Sequence, residues 1–199
     1  MSFNSIEFAI YLPIVFLLYW FVANKNHKLQ NLLLVVASYI FYGWWDWRFL
    51  FLIFISSLVD YLVGIGLSKT EISTKRKMLL FASILVNIGF LGFFKYYNFF
   101  AESFAQAFSF LGMHIESSRL NIILPVGISF YTFQTLSYTI DVYRRKLKTC
   151  HSALDFSLFV SFFPQLVAGP IVRAADFLPQ LKKESKLNFN RYALLMIGR

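Results

Sequence analysis

The side chains best suited to chemistry stand inside apolar runs, where polar groups are costly. Asp60 lies past the middle of the apolar run 49–67. A carboxylate at that depth in a bilayer is a functional-site candidate by default. The alternative is a hydrogen-bonded Asp that ties two helices together. With no second buried carboxylate or partner base in view, the tie is the favoured reading. The run 124–144 (LPVGISFYTFQTLSYTIDVYR) carries Ser129, Thr132, Gln134, Thr135, Ser137, Tyr138 and Thr139. Such groups must be satisfied inside a helix bundle. They serve either as interhelical glue or as the lining of a substrate passage. Gln134 and Tyr138, with their long polar ends, are the candidates for lining. The stretch 159–173 (FVSFFPQLVAGPIVR) is apolar but broken twice, at Pro164 and at the Gly169–Pro170 pair. Proline removes a helix hydrogen bond and clashes with the preceding turn. Broken backbone at membrane depth survives only when packed in protein or lining a wet cavity. Pro164, Gln165, Gly169 and Pro170 are therefore candidate pocket-wall and substrate-binding residues.

Other chemistry is not legible. His27, His114 and His151 all fall in expected loops. There is no His–Glu-x-x-His, no readable Ser/His/Asp set, no glycine-rich phosphate loop and no metal-ligand cluster. No catalytic residue and no metal site is assigned. Cys150 is the only cysteine, so no internal disulfide forms. Its neighbour His151 invites a Cys–His dyad, but adjacent side chains usually point apart. The context is polar, and a bland loop thiol is the expectation.

The elements that must position these residues follow from composition. The chain is 58% hydrophobic, 20% aromatic and 15% charged, with a mean hydropathy of +0.59. Soluble domains are about half apolar and about a quarter charged. The excess predicts an all-α, multi-pass transmembrane helical bundle forming a single membrane domain over 1–199. Residues 6–23, 31–47, 49–67, 78–94 and 122–140 read as spans, each near the roughly 17–25 residues a crossing needs. Tyr39, Tyr42, Trp44, Trp45 and Trp47 form an interfacial belt at one end of the second. Residues 98–113 read as either an interfacial helix on the outer face or a loose loop. The N-terminus lacks early basic residues and a small-residue cleavage site, so the first helix is expected to be retained. No internal repeat, low-complexity tract or soluble domain is apparent.

Charge sets orientation. The formal net charge is +9. The basic residues lie in short loops between apolar runs, which is membrane anchoring rather than a nucleic-acid patch. The loop with Lys25 and Lys28 is basic; that with Asp46 and Arg48 is neutral. The loop with Lys69, Lys75, Arg76 and Lys77 is basic; that with Lys95 and Arg119 is balanced by Glu102 and Glu116. The loop with Arg144, Arg145, Lys146 and Lys148 is basic again. Basic loops stay cytoplasmic, which predicts an outside N-terminus. The segment 154–172 is followed by another basic stretch from Arg173 onward. It is therefore expected to enter the membrane and return on the same side. Asp155 to Phe163 makes only about 14 Å of helix, under half of a hydrocarbon core about 30 Å thick.

The runs 124–144 and 159–173, in that order, resemble the membrane-bound O-acyltransferases, specifically the bacterial alginate O-acetylation branch. YIFYGWW at 39–45 and FFKYYN at 93–98 are similar to that branch too. The resemblance covers essentially the whole chain. It implies a helical fold around a funnel or tunnel, with acyl transfer onto a hydroxyl. A neutral imidazole near pH 7 suits the removal of that hydroxyl's proton. The family's catalytic histidine lies in a later apolar helix, and none of His27, His114 and His151 matches its context. The chain is expected to be the N-terminal portion of such an enzyme, without the base. No bound cofactor is implied; acetyl-CoA or another acyl thioester is the implied donor. Membrane lipids, a separate extracytoplasmic acetyltransferase and an exported polysaccharide acceptor are the implied partners. The bacterial cytoplasmic (inner) membrane is the implied location. D-alanyl transfer to a cell-wall polymer, by a related branch, remains an alternative. So does a transporter with a re-entrant loop, whose expected inverted repeats and paired intramembrane charges are absent from the sequence.

Overall fold

The computed structural model describes residues 4–23, 26–110, 125 and 127–182, with backbone alone at 104–110, 167 and 168. His114, the first residues of the expected 122–140 span and the stretch from 183 onward lie outside them. Among the described residues the chain is all-helical, without strands. Helix α1 (Ile6–Leu17) is capped by Ser5, whose Oγ accepts from the Phe8 amide, and runs into a wider turn at Leu18–Val22. Helix α2 (His27–Gly43) is capped by Asn26. That cap starts it earlier than the expected 31, and it ends before the tryptophans. Helix α3 (Arg48–Lys69) and helix α4 (Ser73–Leu91) follow. Helix α4 continues through a widened turn, Gly92–Tyr96, into α5 (Tyr97–Phe110), so the loose-loop reading does not hold over 98–110. Helix α6 (Ile128–Tyr143) starts later than the sequence predicts. Gly127 is in the left-handed region at φ 78°, which ends any helical run into it. The short helices α7 (Ala153–Ser161), α8 (Phe163–Ala168) and α9 (Ala174–Leu181) complete the described chain.

Two helices, Arg48–Lys69 and Ser73–Ser103, are long and apolar enough to cross a membrane. The 22 residues of α3 rise about 33 Å at 1.5 Å each. The distribution of polarity is inverted relative to a soluble protein. Ile6, Trp47, Phe51, Phe81 and Leu85 are exposed, whereas Ser38, Ser56, Asp60, Ser83, Thr135 and Thr139 are fully buried. An apolar exterior around hydrogen-bonded polar contacts is how helices associate in lipid, where burying more leucine gains nothing.

Helices α3, α4 and α6 pack on one another, and α2 packs on α7. Buried Arg76, in the first turn of α4, clamps the ends of α3 and α6. Its guanidinium donates to the carbonyls of Leu67 (2.5 Å), Thr70 (3.2 Å), Val142 (3.4 Å) and Tyr143 (2.8 Å). Carbonyls at helix C-termini lack intrahelical donors and carry partial negative charge. One planar cation with several donors answers both helices at once. The start of α2, the ends of α3, α6 and α9, and the starts of α4 and α7 thus share one end of the molecule. Among the described residues, Lys69, Lys75, Arg76, Arg145, Lys148 and Lys182 lie at that end.

Candidate functional site

Two arrangements stand out along α6. The first is a buried polar knot around Asp60. Its carboxylate accepts from Ser83 Oγ (2.5 Å), Asn87 Nδ2 (2.8 Å) and Thr139 Oγ1 (3.2 Å). One turn further, Asn87 Oδ1 accepts from Ser56 Oγ (2.7 Å) and Thr135 Oγ1 (3.3 Å). The knot joins α3, α4 and α6 rather than two helices. Every partner is a neutral hydroxyl or amide, and among the described residues no base hydrogen-bonds to Asp60. The geometry is that of a tie. Ser83 and Asn87 were the missed partners; standing four residues apart in an apolar run, they share one helix face.

The second arrangement is the break between α7 and α8. An unbroken helix would pair the Phe163 amide with the Phe159 carbonyl. Phe162 leaves the helix (φ −53°, ψ 105°) and separates them. Pro164, in the first turn of α8, has no amide proton to offer Val160. The Phe159 carbonyl and the Phe163 amide are recovered from neighbouring helices. Gln134 Nε2 donates to the Phe159 carbonyl at 2.6 Å, and the Phe163 amide donates to Ser38 Oγ at 3.2 Å. Ser38 in turn donates to the Leu34 carbonyl at 2.7 Å. The kink is therefore built into the fold from α2 and α6. Ser38 gave no sequence signal beyond being a hydroxyl in an apolar run.

Three of the six predicted wall residues, Gln134, Tyr138 and Gln165, are buried. Gln134 is buried, with its amide on Phe159. Tyr138 is fully buried; its hydroxyl accepts from the Cys150 amide at 3.1 Å, and its ring packs on Phe156 with centroids 4.8 Å apart. Their polar ends are spent on the protein itself. Gln165 is buried, and its Nε2 has no hydrogen-bond partner, like Ser57 Oγ, Tyr131 Oη and Thr132 Oγ1. Gly169 turns the chain tightly: a Cβ there would come within 2.9 Å of Gln165 Cα. Pro164 is partly buried and Pro170 exposed. A hollow of about 220 Å³ lies beside the break, lined by Leu158, Phe162, Phe177 and Leu181 with Gln30 and Asn31 of α2.

Asn31 records where the broken segment goes. Its Nδ2 donates to Asp155 Oδ1 (2.9 Å), at the start of α7, and to the Leu181 carbonyl (3.1 Å), at the end of α9. The start of α7 and the end of α9, on either side of the break, thus meet at Asn31.

Cys150 differs from the loop thiol expected. The segment before α7 lies against α3 and α6, with Thr149 Oγ1 on the Gly64 carbonyl (3.1 Å) and the Cys150 amide on Tyr138. Cys150 is thereby buried, and burial pushes its thiol above the ordinary range. The neighbouring His151 uses its backbone carbonyl, which accepts from Tyr61 Oη at 2.7 Å. Among the described residues no group of three His, Cys, Asp or Glu could hold a metal. The assembled groups can donate and accept hydrogen bonds and shape a cavity.

The comparisons with known proteins extend the likeness beyond the two long motifs. The chain is 37% identical over 182 residues, 90% of its length, to a protein of Pseudomonas aeruginosa named probable alginate O-acetylase AlgI. It is 36% identical over 90% of its length to the protein of that name from Azotobacter vinelandii. It is 33% identical over 92% of its length to a Helicobacter pylori protein named peptidoglycan O-acetyltransferase. The chain spans 34%, 36% and 39% of those relatives, respectively. No family model and no solved structure matches. The resemblance to the bacterial alginate O-acetylation proteins thus holds along nine-tenths of the chain.

Proposed function

We propose that this chain is part of a membrane-embedded O-acyltransferase that acetylates an exported polysaccharide. The observation that carries the reading is the 33–37% identity, over about 90% of the chain, to proteins named as O-acetylases of alginate and of peptidoglycan. Alginate is the acceptor we favour. The Helicobacter relative supports a second acceptor class, a cell-wall polymer.

In this reading the chain crosses the bacterial inner membrane several times, with its N-terminus outside. The gathering of basic loops at one end supports the orientation, because such loops are retained in the cytoplasm. The segment α7–α9 is re-entrant. Its entry and exit meet at Asn31, and its break is satisfied by Gln134 and Ser38. Gln134, Tyr138, Pro164, Gln165, Gly169 and Pro170 then hold the wall of the acyl-transfer cavity in shape. Of these, Gln165 keeps a free buried donor for a substrate carbonyl or hydroxyl. The catalytic histidine belongs to a later helix of the whole protein. Acetyl-CoA or another acyl thioester supplies the acyl group, and an extracytoplasmic acetyltransferase completes delivery to the polymer.

The test is the acetyl content of the surface polymer in cells with and without the gene. Loss of the gene should abolish acetylation, and the full-length gene should restore it. Unchanged acetyl content in the deletion strain would refute the acceptor class.

A further inference from the structure

At the end of the molecule where α3 and α6 terminate lies a cavity of about 510 Å³. Among the described residues its lining includes Arg76, Arg145, Lys148 and Lys182, drawn from three separate parts of the chain, against one carboxylate, Glu71. His151 also lines it. Arg76 is committed to backbone carbonyls, as described above, and contributes its charge from behind. Arg145 pairs with Glu71, both side chains remaining well exposed. That pair leaves the charge of Lys148 and Lys182 without a carboxylate to balance it in the lining.

Arg145 is the informative residue. It occupies the position just past the end of α6 with φ 59°, the left-handed turn that closes a helix. Its amide donates to the Val142 carbonyl at 3.1 Å, and the Lys146 amide to the Asp141 carbonyl at 2.9 Å. Glycine is the usual occupant of that site because a side chain is strained there. In this chain an arginine stands there, with its side chain exposed at the mouth of the cavity. Exposed Lys69, Lys75 and Lys77 stand around the lining, and further along α4 the exposed Met78, Phe81 and Leu85 form an apolar face. A basic cavity at the rim of an apolar face is the shape that receives an anionic lipid, phosphate in the cavity and acyl chains along the helices.

We propose that this cavity binds the phosphate of an anionic phospholipid headgroup, held by Arg145, Lys148 and Lys182. The site rests on the membrane reading above, not on the acyl-transfer reading. Its test uses the full-length protein in nanodiscs and reads lipid-dependent melting, so it succeeds or fails independently of polymer acetylation. Phosphatidylglycerol should raise the melting temperature relative to phosphatidylcholine. The triple variant Arg145→Gly, Lys148→Gln, Lys182→Gln should need on the order of tenfold more phosphatidylglycerol for the same rise. Arg145→Gly alone relieves the strained backbone, so it should keep or raise the melting temperature in phosphatidylcholine while weakening the response to phosphatidylglycerol. A triple variant that responds like the native protein overturns the site. A rise produced in phosphatidylcholine by inorganic pyrophosphate, with none from phosphatidylglycerol, overturns the lipid as the source of the phosphate.

Discussion

Asp60 makes three hydrogen bonds to α4 and α6, so its removal leaves Ser83, Asn87 and Thr139 facing a small void. Asp60→Ala should destabilise the protein by about 1–3 kcal/mol, the penalty for buried donors left without an acceptor. Asp60→Asn keeps the volume and one acceptor and should cost less. Melting in detergent ranks the two; equal melting of Asp60→Ala and the native protein would remove the tie. Gly64 faces Tyr138 closely: a Cβ there would come within 2.7 Å of Tyr138 Oη. Gly64→Ala should cost about 1–3 kcal/mol through overpacking. Adding Tyr138→Phe should relieve part of that loss, a coupling that a double-mutant cycle detects. Cys150 makes a pH prediction. Its thiol is raised by burial, so the folded state disfavours the thiolate. The associated stability is full below the ordinary thiol range and is lost as pH rises through the elevated folded value. Alkylation of Cys150 at mildly alkaline pH should be slow in the folded protein and fast after unfolding; equal rates would contradict its burial.

At the scale of elements, the α7–α8 break depends on two side chains from other helices. Gln134→Ala strands the Phe159 carbonyl, and Ser38→Ala strands the Phe163 amide. Each should cost about 1–3 kcal/mol, the penalty of an unmade buried hydrogen bond. If the kink shapes the transfer cavity, polymer acetylation in cells should fall more steeply than protein level in these variants. A loss of activity no larger than the loss of protein would leave the kink with a folding role alone. The proposed re-entrant path is tested by cysteines at exposed Lys148 and Lys182, which bracket α7–α9. Neither should react with an impermeant reagent added outside intact cells, and both should react in inverted vesicles. Opposite behaviour at the two positions would require a full crossing between them.

For the whole molecule, the apolar surface and the all-helical architecture were legible because both are read from composition and run length. The candidate span 49–67 lies within α3 as observed, since a long apolar run has no other way to satisfy its backbone in lipid. That the basic stretches around Lys75 and Arg145 meet at one end was decided by Arg76, which joins the ends of α3 and α6. The likeness to polysaccharide O-acetylation proteins came from the order of two motifs and holds over nine-tenths of the chain. What the chain order conceals is which polar groups meet. Asp60 lies 79 residues from Thr139, and Asn31 lies 124 residues from Asp155. Nothing in linear spacing pairs them. Gln134 and Tyr138 were legible as unusual, yet folding turned their polar ends onto Phe159 and Cys150. The reason is physical: hydropathy is a property of each segment by itself, whereas hydrogen-bond satisfaction belongs to groups brought together in space. Only the packed helices decided which donors meet which acceptors, and which buried donors, Gln165 among them, were left free.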